Sequence, residues 1–170
     1  MTADAPAPRS PGDRIALWIA SGFGSGFLRP APGTWGSLAA LGIVWLCSRS
    51  DLPAQWTIVA LAVVATIACL ATAGAAERAL GAKDPQCVVM DEFAGMFVAL
   101  LRTTDRWPTV RETVVAFLLF RLFDIIKPTP ARQLQRLKGG PGVVLDDLVA
   151  GLYALIGTAV FRDYVATHGV

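Results

Sequence analysis

Apolar residues in this chain fall in long blocks separated by short polar connections. The blocks cover residues 37–47, 56–76, 87–101, 113–126 and 143–161, and a shorter apolar piece covers 15–20. The blocks show little of the apolar–polar alternation that is typical of strands, and they are rich in alanine, a strong helix former. The pattern therefore predicts an all-α fold, a compact bundle of about six helices.

The ends of the chain and its connections set the predicted domain boundaries. Residues 1–13 are rich in proline and alanine and lack the apolar segment of a secretory signal, so we expect a disordered N-terminal tail. Glycine, proline and charged residues mark the breaks at 49–53, 81–85, 105–108 and 138–142. The prediction is a single helical domain over 14–163, followed by a C-terminal tail over 164–170.

The composition points to contact with lipid. Apolar residues make up 54% of the chain and charged residues only 16%, whereas about 25% of the residues in a soluble domain are charged. Residues 56–76 contain no charge and are long enough to cross a bilayer. A buried core helix remains the alternative for this segment, so we expect a bundle that is either associated with a membrane or embedded in one.

Charge and cysteine content exclude other classes of function. The net charge is only +2, which gives no electrostatic case for a nucleic-acid partner. Cys47, Cys69 and Cys87 form no metal-binding pair, and the first two lie inside apolar blocks, so we interpret them as buried thiols. His168, the only histidine, has no predicted role.

Five acidic residues lie where an apolar helix would not be expected to carry charge. A buried carboxylate is costly and normally has a partner or a function. The five belong to three apolar blocks, and packing of these helices could bring them to one site: Asp91, Glu92, Asp124, Asp146 and Asp147. A cluster of oxygen ligands of this kind suits a hard cation such as Mg²⁺.

Structural roles for the same acids stay open at this point. Asp146 and Asp147 follow a Gly-Pro-Gly sequence, where acids can cap a helix N-terminus. Asp91 and Glu92 could be a first-turn pair of their helix. Asp124 could form an ion pair with Arg121, which precedes it by three residues on the same face.

Cationic and glycine-rich pieces accompany the acids. Arg121, Asp124 and Lys127 recur every three residues, and the two cations could bind phosphate, although Lys127 could instead stabilise a helix C-terminus. Residues 22–38 form a glycine-rich segment before an apolar helix, and Thr34 and Ser37 within it could donate to an anion or cap the helix. An ordinary loop is the alternative for this segment.

Three sequence blocks resemble the phosphatidylglycerophosphatase A family. They are GSGFLRPAPGTWGSL at 24–38, VMDEFAG at 89–95, and the longer block at 120–154 that contains FD-x-x-KP-x-P, GG-x-G and DD-x-x-AG. The resemblance implies an all-helical enzyme at the cytoplasmic (inner) membrane, with its active site facing the cytoplasm. It also implies Mg²⁺-dependent removal of the terminal phosphate of phosphatidylglycerophosphate, which yields phosphatidylglycerol.

The resemblance also implies roles for particular residues. All five acids become catalytic candidates, and the metal candidates among them are Asp91, Glu92, Asp124 and Asp147. The candidates for contact with the substrate phosphate are Thr34, Ser37, Arg121 and Lys127.

The residues also bear on mechanism and on a rival function. Phe93 stands where a Cys-x5-Arg phosphatase would need its arginine, and a single histidine argues against a histidine nucleophile. Water activated by a metal ion is therefore the favoured mechanism, with an aspartate nucleophile as a variant. The rival function is a small membrane protein that binds or transports divalent cations. The cationic side chains and the glycine-rich loops argue for a phosphate site instead.

Overall fold

The computed structural model describes residues 10–83, 85–102, 104–134 and 140–168. Within these ranges the chain forms seven α-helices and no strand, which confirms the predicted all-α bundle. The helices are α1 (Pro11–Ala20), α2 (Pro32–Cys47), α3 (Ala54–Leu80), α4 (Met90–Ala99), α5 (Val110–Ile126), α6 (Ala131–Leu134) and α7 (Gly140–His168). A short 3₁₀ turn, Ser25–Phe27, lies between α1 and α2.

Both ends of the helical domain differ from the predicted boundaries. A capping box starts α1, because Ser10 and Asp13 each accept a hydrogen bond from the other's backbone N–H. The helix therefore begins inside the predicted 1–13 tail, of which 1–9 lie outside the described residues. At the other end, α7 continues to His168, inside the predicted 164–170 tail.

The centre of the bundle is α4, a helix of ten residues that are all buried. It packs against α2, α3 and α7, and α5 packs against α7. Phe93, Met96 and Phe97 of α4 are among the most deeply buried side chains, and Phe120 of α5 joins them in the core. The N-terminus of α4 is thus held inside the protein, and it carries Asp91 and Glu92.

The outer helices place small residues inside and large apolar residues outside. The buried stripe of α3 is made largely of alanine, while Val63, Val64 and Ile67 on its other side are more than half exposed. On the outer faces of α5 and α7, Ile125 and Ile156 are similarly exposed. Exposed apolar surface of this extent is unusual for a soluble monomer, and close packing through small residues is typical of helices in lipid.

Among the helices of the described residues, two are long and apolar enough to cross a membrane by length and composition. The first, Ala54–Leu80, contains the predicted span 56–76. The second, Pro141–His168, carries the charged residues Asp146 and Asp147, which hid this property in the sequence.

Candidate active site

A cavity of about 310 Å³ opens at the end of the bundle where α4 begins. Its walls come from the start of α2, the segment before α4, the C-terminal half of α5 and the second turn of α7. The charged residues that line it are Asp91, Glu92, Arg121, Asp124, Lys127, Asp146 and Asp147. All five acids and both cations singled out in the sequence therefore meet at one place.

Three of the acids lie close enough to share one ion. Glu92, Asp124 and Asp147 each offer a carboxylate oxygen, and these oxygens all lie within 4.8 Å of one another. They come from α4, α5 and α7, so the cluster exists only when the three helices are packed together. Asp91 lines the same cavity, and its Oδ1 accepts a hydrogen bond of 3.0 Å from the backbone N–H of Glu92.

Arg121 links two of these helices through their acids. Its guanidinium lies 3.1 Å from Oδ2 of Asp124, so the ion pair considered from the sequence does form. The same nitrogen, Nη1, also donates to Oε2 of Glu92. Because the side chain of Arg121 is mostly buried, it fixes the two carboxylates relative to each other.

Lys127 ends α5 in the left-handed conformation, with φ of 47°. Its Nζ donates to Oδ2 of Asp146 at 2.5 Å and lies 3.9 Å from Oδ1 of Asp124. Burial alone would lower the pKa of Lys127, but the hydrogen bond that it donates to Asp146 and the surrounding carboxylates raise this pKa above its ordinary value. The ammonium is therefore charged at neutral pH and has further donors available towards the cavity.

Asp146 has one carboxylate oxygen without a partner. Oδ1 is buried and accepts no hydrogen bond among the described residues, although Oδ2 is held by Lys127. An orphaned buried oxygen is costly unless a ligand or water satisfies it. This oxygen is therefore available to whatever binds in the cavity.

The possible capping roles of the acids have different outcomes. Asp146 and Asp147 are the seventh and eighth residues of α7, so the capping interpretation is wrong for both. Asp91 and Glu92 do lie in the first turn of α4, as the alternative supposed, and they line the cavity as well.

Burial and like charge both act on Glu92. Burial and the charge of Asp124 raise its pKa from 4.5 to about 7, although Arg121 and the hydroxyl of Ser37 act in the opposite direction. In the cavity as a whole, five carboxyl groups face two cationic side chains. The site thus has an excess of negative charge that a cation would relieve.

The two predicted hydroxyl residues have different positions. Ser37 Oγ lies 2.9 Å from the carbonyl oxygen of Gly33 and 3.2 Å from Oε2 of Glu92, so it supports a cavity carboxylate from behind. Thr34 is not among the residues that line the cavity. Neither caps α2, whose N-cap is Ala31, and their contact with substrate phosphate stays a prediction.

The glycine-rich segment packs against the start of α4, which carries Asp91 and Glu92, and against the residues just before it. A Cβ atom on Gly33 would lie 2.0 Å from Oε1 of Glu92, and one on Gly26 would lie 2.1 Å from the carbonyl oxygen of Cys87. A Cβ atom on Gly22 would lie 3.0 Å from Cγ2 of Val89, and one on Gly36 would lie 2.8 Å from Cβ of Val89. Sequence inspection found these glycines but could not assign them this role, because their contacts lie more than 50 residues away along the chain.

The family model of Phosphatidylglycerophosphatase A matches residues 18–162. The chain belongs to the phosphatidylglycerophosphatase A family. The match spans all nine residues that the sequence predicts for the site, and it makes the chain a phosphoric monoester hydrolase.

Curated relatives cover most of the chain. A protein of Bacteroides thetaiotaomicron named "Putative phosphatidylinositol-3-phosphatase" is 43% identical over 87% of this chain and 94% of its own length. Proteins named Phosphatidylglycerophosphatase A are 39% identical in Haemophilus influenzae, over 81% of this chain and 83% of theirs, and 38% identical in Escherichia coli K12, over 79% and 76%. No solved structure matches the chain.

Membership of the phosphatidylglycerophosphatase A family favours the phosphatase over the cation transporter that the acids alone would also fit. The names of the relatives agree on a phosphomonoester carried by an anionic lipid, and they differ in the headgroup.

Proposed function

We propose that the protein removes the terminal phosphate of phosphatidylglycerophosphate and releases phosphatidylglycerol, as a step of phospholipid synthesis. The observation that carries the proposal is the cavity in which Glu92, Asp124 and Asp147 converge beside Lys127. A phosphate ester needs cationic groups for its oxygens, and a cation pathway does not. Family membership supports the same reaction.

Mg²⁺ is the proposed cofactor, and the side chains fit it. The donor set consists of carboxylate oxygens, which magnesium prefers, and Glu92, Asp124 and Asp147 would hold the ion, with Asp91 beside them. The unpartnered Oδ1 of Asp146 and the excess of negative charge both favour a cation in this cavity. When bound, Mg²⁺ supplies positive charge against the phosphate oxygens and makes water a better nucleophile.

The protein's own groups position the substrate. Lys127 places a charged ammonium in the cavity, where it can donate to a phosphate oxygen while it remains hydrogen-bonded to Asp146. Ala31, Pro32 and Gly33 at the N-terminus of α2 also line the cavity. The first N–H groups of a helix have no partner within the helix, and they favour anions. Asp146 Oδ1 remains as an acceptor for the attacking water.

The proposed location is the cytoplasmic membrane, with the cavity on the cytoplasmic side. The connection 127–139 follows the cavity helix α5 and contains four basic residues and no acidic residue. The connections at the other end of the bundle, 48–53 and 101–109, contain one and two basic residues. Because short cytoplasmic loops are enriched in lysine and arginine, this bias supports the orientation.

Phosphate release from purified protein in detergent micelles tests the function. We expect release from phosphatidylglycerophosphate that requires Mg²⁺ and stops with a chelator. A parallel assay with phosphatidylinositol 3-phosphate separates the two headgroups found in the names of the relatives. Release from the inositol lipid alone would overturn the proposed substrate. Mg²⁺ flux into liposomes without any phosphate release would instead establish the transporter.

A further inference from the structure

Two cavities of the protein share the same pair of helices as walls. The catalytic cavity lies between Gly33 of α2 and Arg121 and Asp124 of α5. A second cavity of about 160 Å³ lies farther along both helices, between Leu41 and Trp45 of α2 and Val110 and Val114 of α5. The helices α2 and α5 have little direct contact with each other, and we call the interval between their facing sides the seam.

The two cavities lie on the same face of each helix. On α2, Gly33, Ser37, Leu41 and Val44 are spaced by four, four and three residues, which is the spacing of one helix face. On α5, Val114, Phe117, Arg121 and Asp124 follow the same rule with spacings of three, four and three. The two cavities therefore follow one another along the same side of both helices, the charged cavity at one end and the apolar cavity at the other, with Ser37 and Phe117 between them.

The walls of the second cavity are mainly apolar, and their polar side-chain groups are two hydroxyl groups and the indole N–H groups of Trp45 and Trp107. Two hydroxyl groups occur there, and each is bonded within its own helix: Ser48 Oγ donates to the carbonyl of Trp45 at 2.7 Å, and Thr113 Oγ1 donates to the carbonyl of Thr109 at 2.9 Å. The two hydroxyl donors of this cavity are thus already used, and the remaining polar side-chain groups there are the two indole N–H groups. An aliphatic chain would break no hydrogen bond of these hydroxyl groups by binding there, and it would bury apolar surface.

The length of the seam matches a lipid. At a rise of about 1.5 Å per residue, Leu41 lies about 12 Å beyond Gly33, and Val114 lies about 10 Å beyond Arg121. The hydrocarbon core of a bilayer is about 30 Å thick, so the acyl chains of one leaflet extend about 15 Å. A phosphate in the catalytic cavity and an acyl chain in the apolar cavity are thus separated by a distance that one phospholipid covers.

We propose that the seam between α2 and α5 is the binding site for an acyl chain of the lipid substrate. This inference rests on the proposed function, because it takes the phosphate of the same lipid to be in the catalytic cavity. A larger apolar groove of about 300 Å³ lies between α3 and α4, where Val63 and Ile67 line it. The α3 helix contributes nothing to the lining of the catalytic cavity, so only one of the two walls of this groove, α4, extends to the phosphate site.

Filling the seam tests the proposal. Val114 is half exposed and lines the apolar cavity, so Val114→Trp places an indole there without replacing a core residue. Val63→Trp is the matched control, because Val63 is equally exposed and lines the other groove. Each variant is assayed on long-chain phosphatidylglycerophosphate and on the water-soluble deacylated headgroup. Thermal melting checks that both variants are folded.

We expect Val114→Trp to lower kcat/KM for the long-chain lipid by about tenfold or more, the effect of altered fit in an apolar pocket. Its kcat/KM for the deacylated headgroup should equal that of the wild type, and Val63→Trp should change neither value. An unchanged long-chain activity in Val114→Trp would overturn the proposal. So would an equal loss on both substrates, or a selective loss in Val63→Trp only.

A second measurement does not depend on turnover. A phosphatidylglycerophosphate analogue with a photoreactive group on its acyl chain is cross-linked to the wild-type protein, and the labelled peptides are identified by mass spectrometry. We expect labels within 41–48 and 110–114. Labels confined to α3 would overturn the acyl site whether or not the enzyme is active. Labels in the seam of a protein that releases no phosphate would overturn the proposed function and leave the acyl site standing.

Discussion

Gly95 of α4 and Gly151 of α7 meet backbone to backbone. A Cβ atom on Gly151 would lie 2.4 Å from the carbonyl oxygen of Gly95, and a Cβ atom on Gly95 would lie 2.6 Å from the carbonyl oxygen of Asp147. The two helices therefore cross with no side chain between them. This close crossing places the carboxylate of Asp147 beside that of Glu92.

Replacing Gly95 should separate the two helices and disrupt the carboxylate cluster. In Gly95→Ala the new methyl group collides with the backbone of α7 and with Phe120, so we expect a loss of about 1–3 kcal/mol in the free energy of unfolding. Phosphate release should fall with it. Gly42→Ala is the control, because a Cβ atom there meets nothing within 4 Å, and it should keep activity and folding. Equal activity in the two variants would contradict a role for the close crossing.

Asp147→Asn keeps the shape of the side chain and removes its charge. Because Asp147 lies in the second turn of α7, the substitution tests the cluster and not a helix cap. We expect activity to fall on the order of a hundredfold or more, as for the loss of a group that stabilises the transition state. Without Mg²⁺ the melting temperature should hold or rise, since one repulsive charge is gone.

The matched control for Asp147→Asn is Asp163→Asn, a change at an exposed position of the same helix. It should leave phosphate release unchanged. Near-normal activity of a folded Asp147→Asn protein at limiting Mg²⁺ would exclude Asp147 from the metal site.

The raised pKa of Glu92 predicts how stability depends on pH when no metal is present. A carboxyl group with a pKa of about 7 in the folded protein and 4.5 as its ordinary value binds protons more tightly when folded. The free energy of unfolding should therefore fall as pH rises from about 4.5 to about 7, by up to about 3 kcal/mol, and then level off. Melting temperatures in a chelator between these values measure the effect.

The Glu92→Gln variant isolates that dependence. Glutamine does not titrate, so the fall in stability between pH 4.5 and 7 should be much smaller than in the wild type, whereas Asp51→Asn, at an exposed carboxylate, should leave it unchanged. Adding Mg²⁺ should raise the wild-type melting temperature more at pH 8 than at pH 5, because the ion binds the deprotonated cluster. An identical pH profile for Glu92→Gln would show that another group is responsible.

The ammonium of Lys127 should mainly stabilise the negative charge of the substrate phosphate. In Lys127→Met the cavity loses its ammonium, and we expect kcat/KM to fall about a hundredfold. Lys127→Arg should recover part of the loss, because it keeps the charge but changes the donor geometry. The control is Lys83→Met, an exposed lysine in the connection before α4. A full loss in Lys127→Arg and none in Lys127→Met would contradict the assignment.

The charged residues of the cavity could be predicted from the sequence, because a charged residue is rarely buried in an apolar helix without a partner or a function. Asp124 lies near the C-terminal end of an apolar helix, where a buried acid normally has a partner or a function, and the structure gives it Arg121 and the carboxylate cluster. The sequence pattern predicts the start of α7 too late, because the Gly-Pro-Gly at 140–142 resembles a loop. Proline is favoured in the first turn of a helix, and Pro141 carried that signal.

Contacts between distant segments could not be predicted in the same way. A glycine in a sequence indicates a turn or a close approach without naming the other partner, so the packing of Gly33 on Glu92 and of Gly95 on α7 was hidden. The position of Thr34 outside the cavity lining was hidden for a related reason. The spacing of residues gives a helix face, but only the neighbouring helices decide what that face meets.

The complete burial of α4 has a consequence for biosynthesis. Ten residues span only about 15 Å as a helix, which is too short to cross a bilayer. The two acids in the first turn of α4 also oppose insertion of this helix into lipid by itself. During translation α4 can therefore be buried only after the helices around it have been synthesised. The last of these helices along the chain is α7, which supplies Asp146 and Asp147. A nascent or truncated chain that lacks α7 has no Asp146 and no Asp147, so its active site is incomplete and the enzyme becomes competent only when α7 is in place.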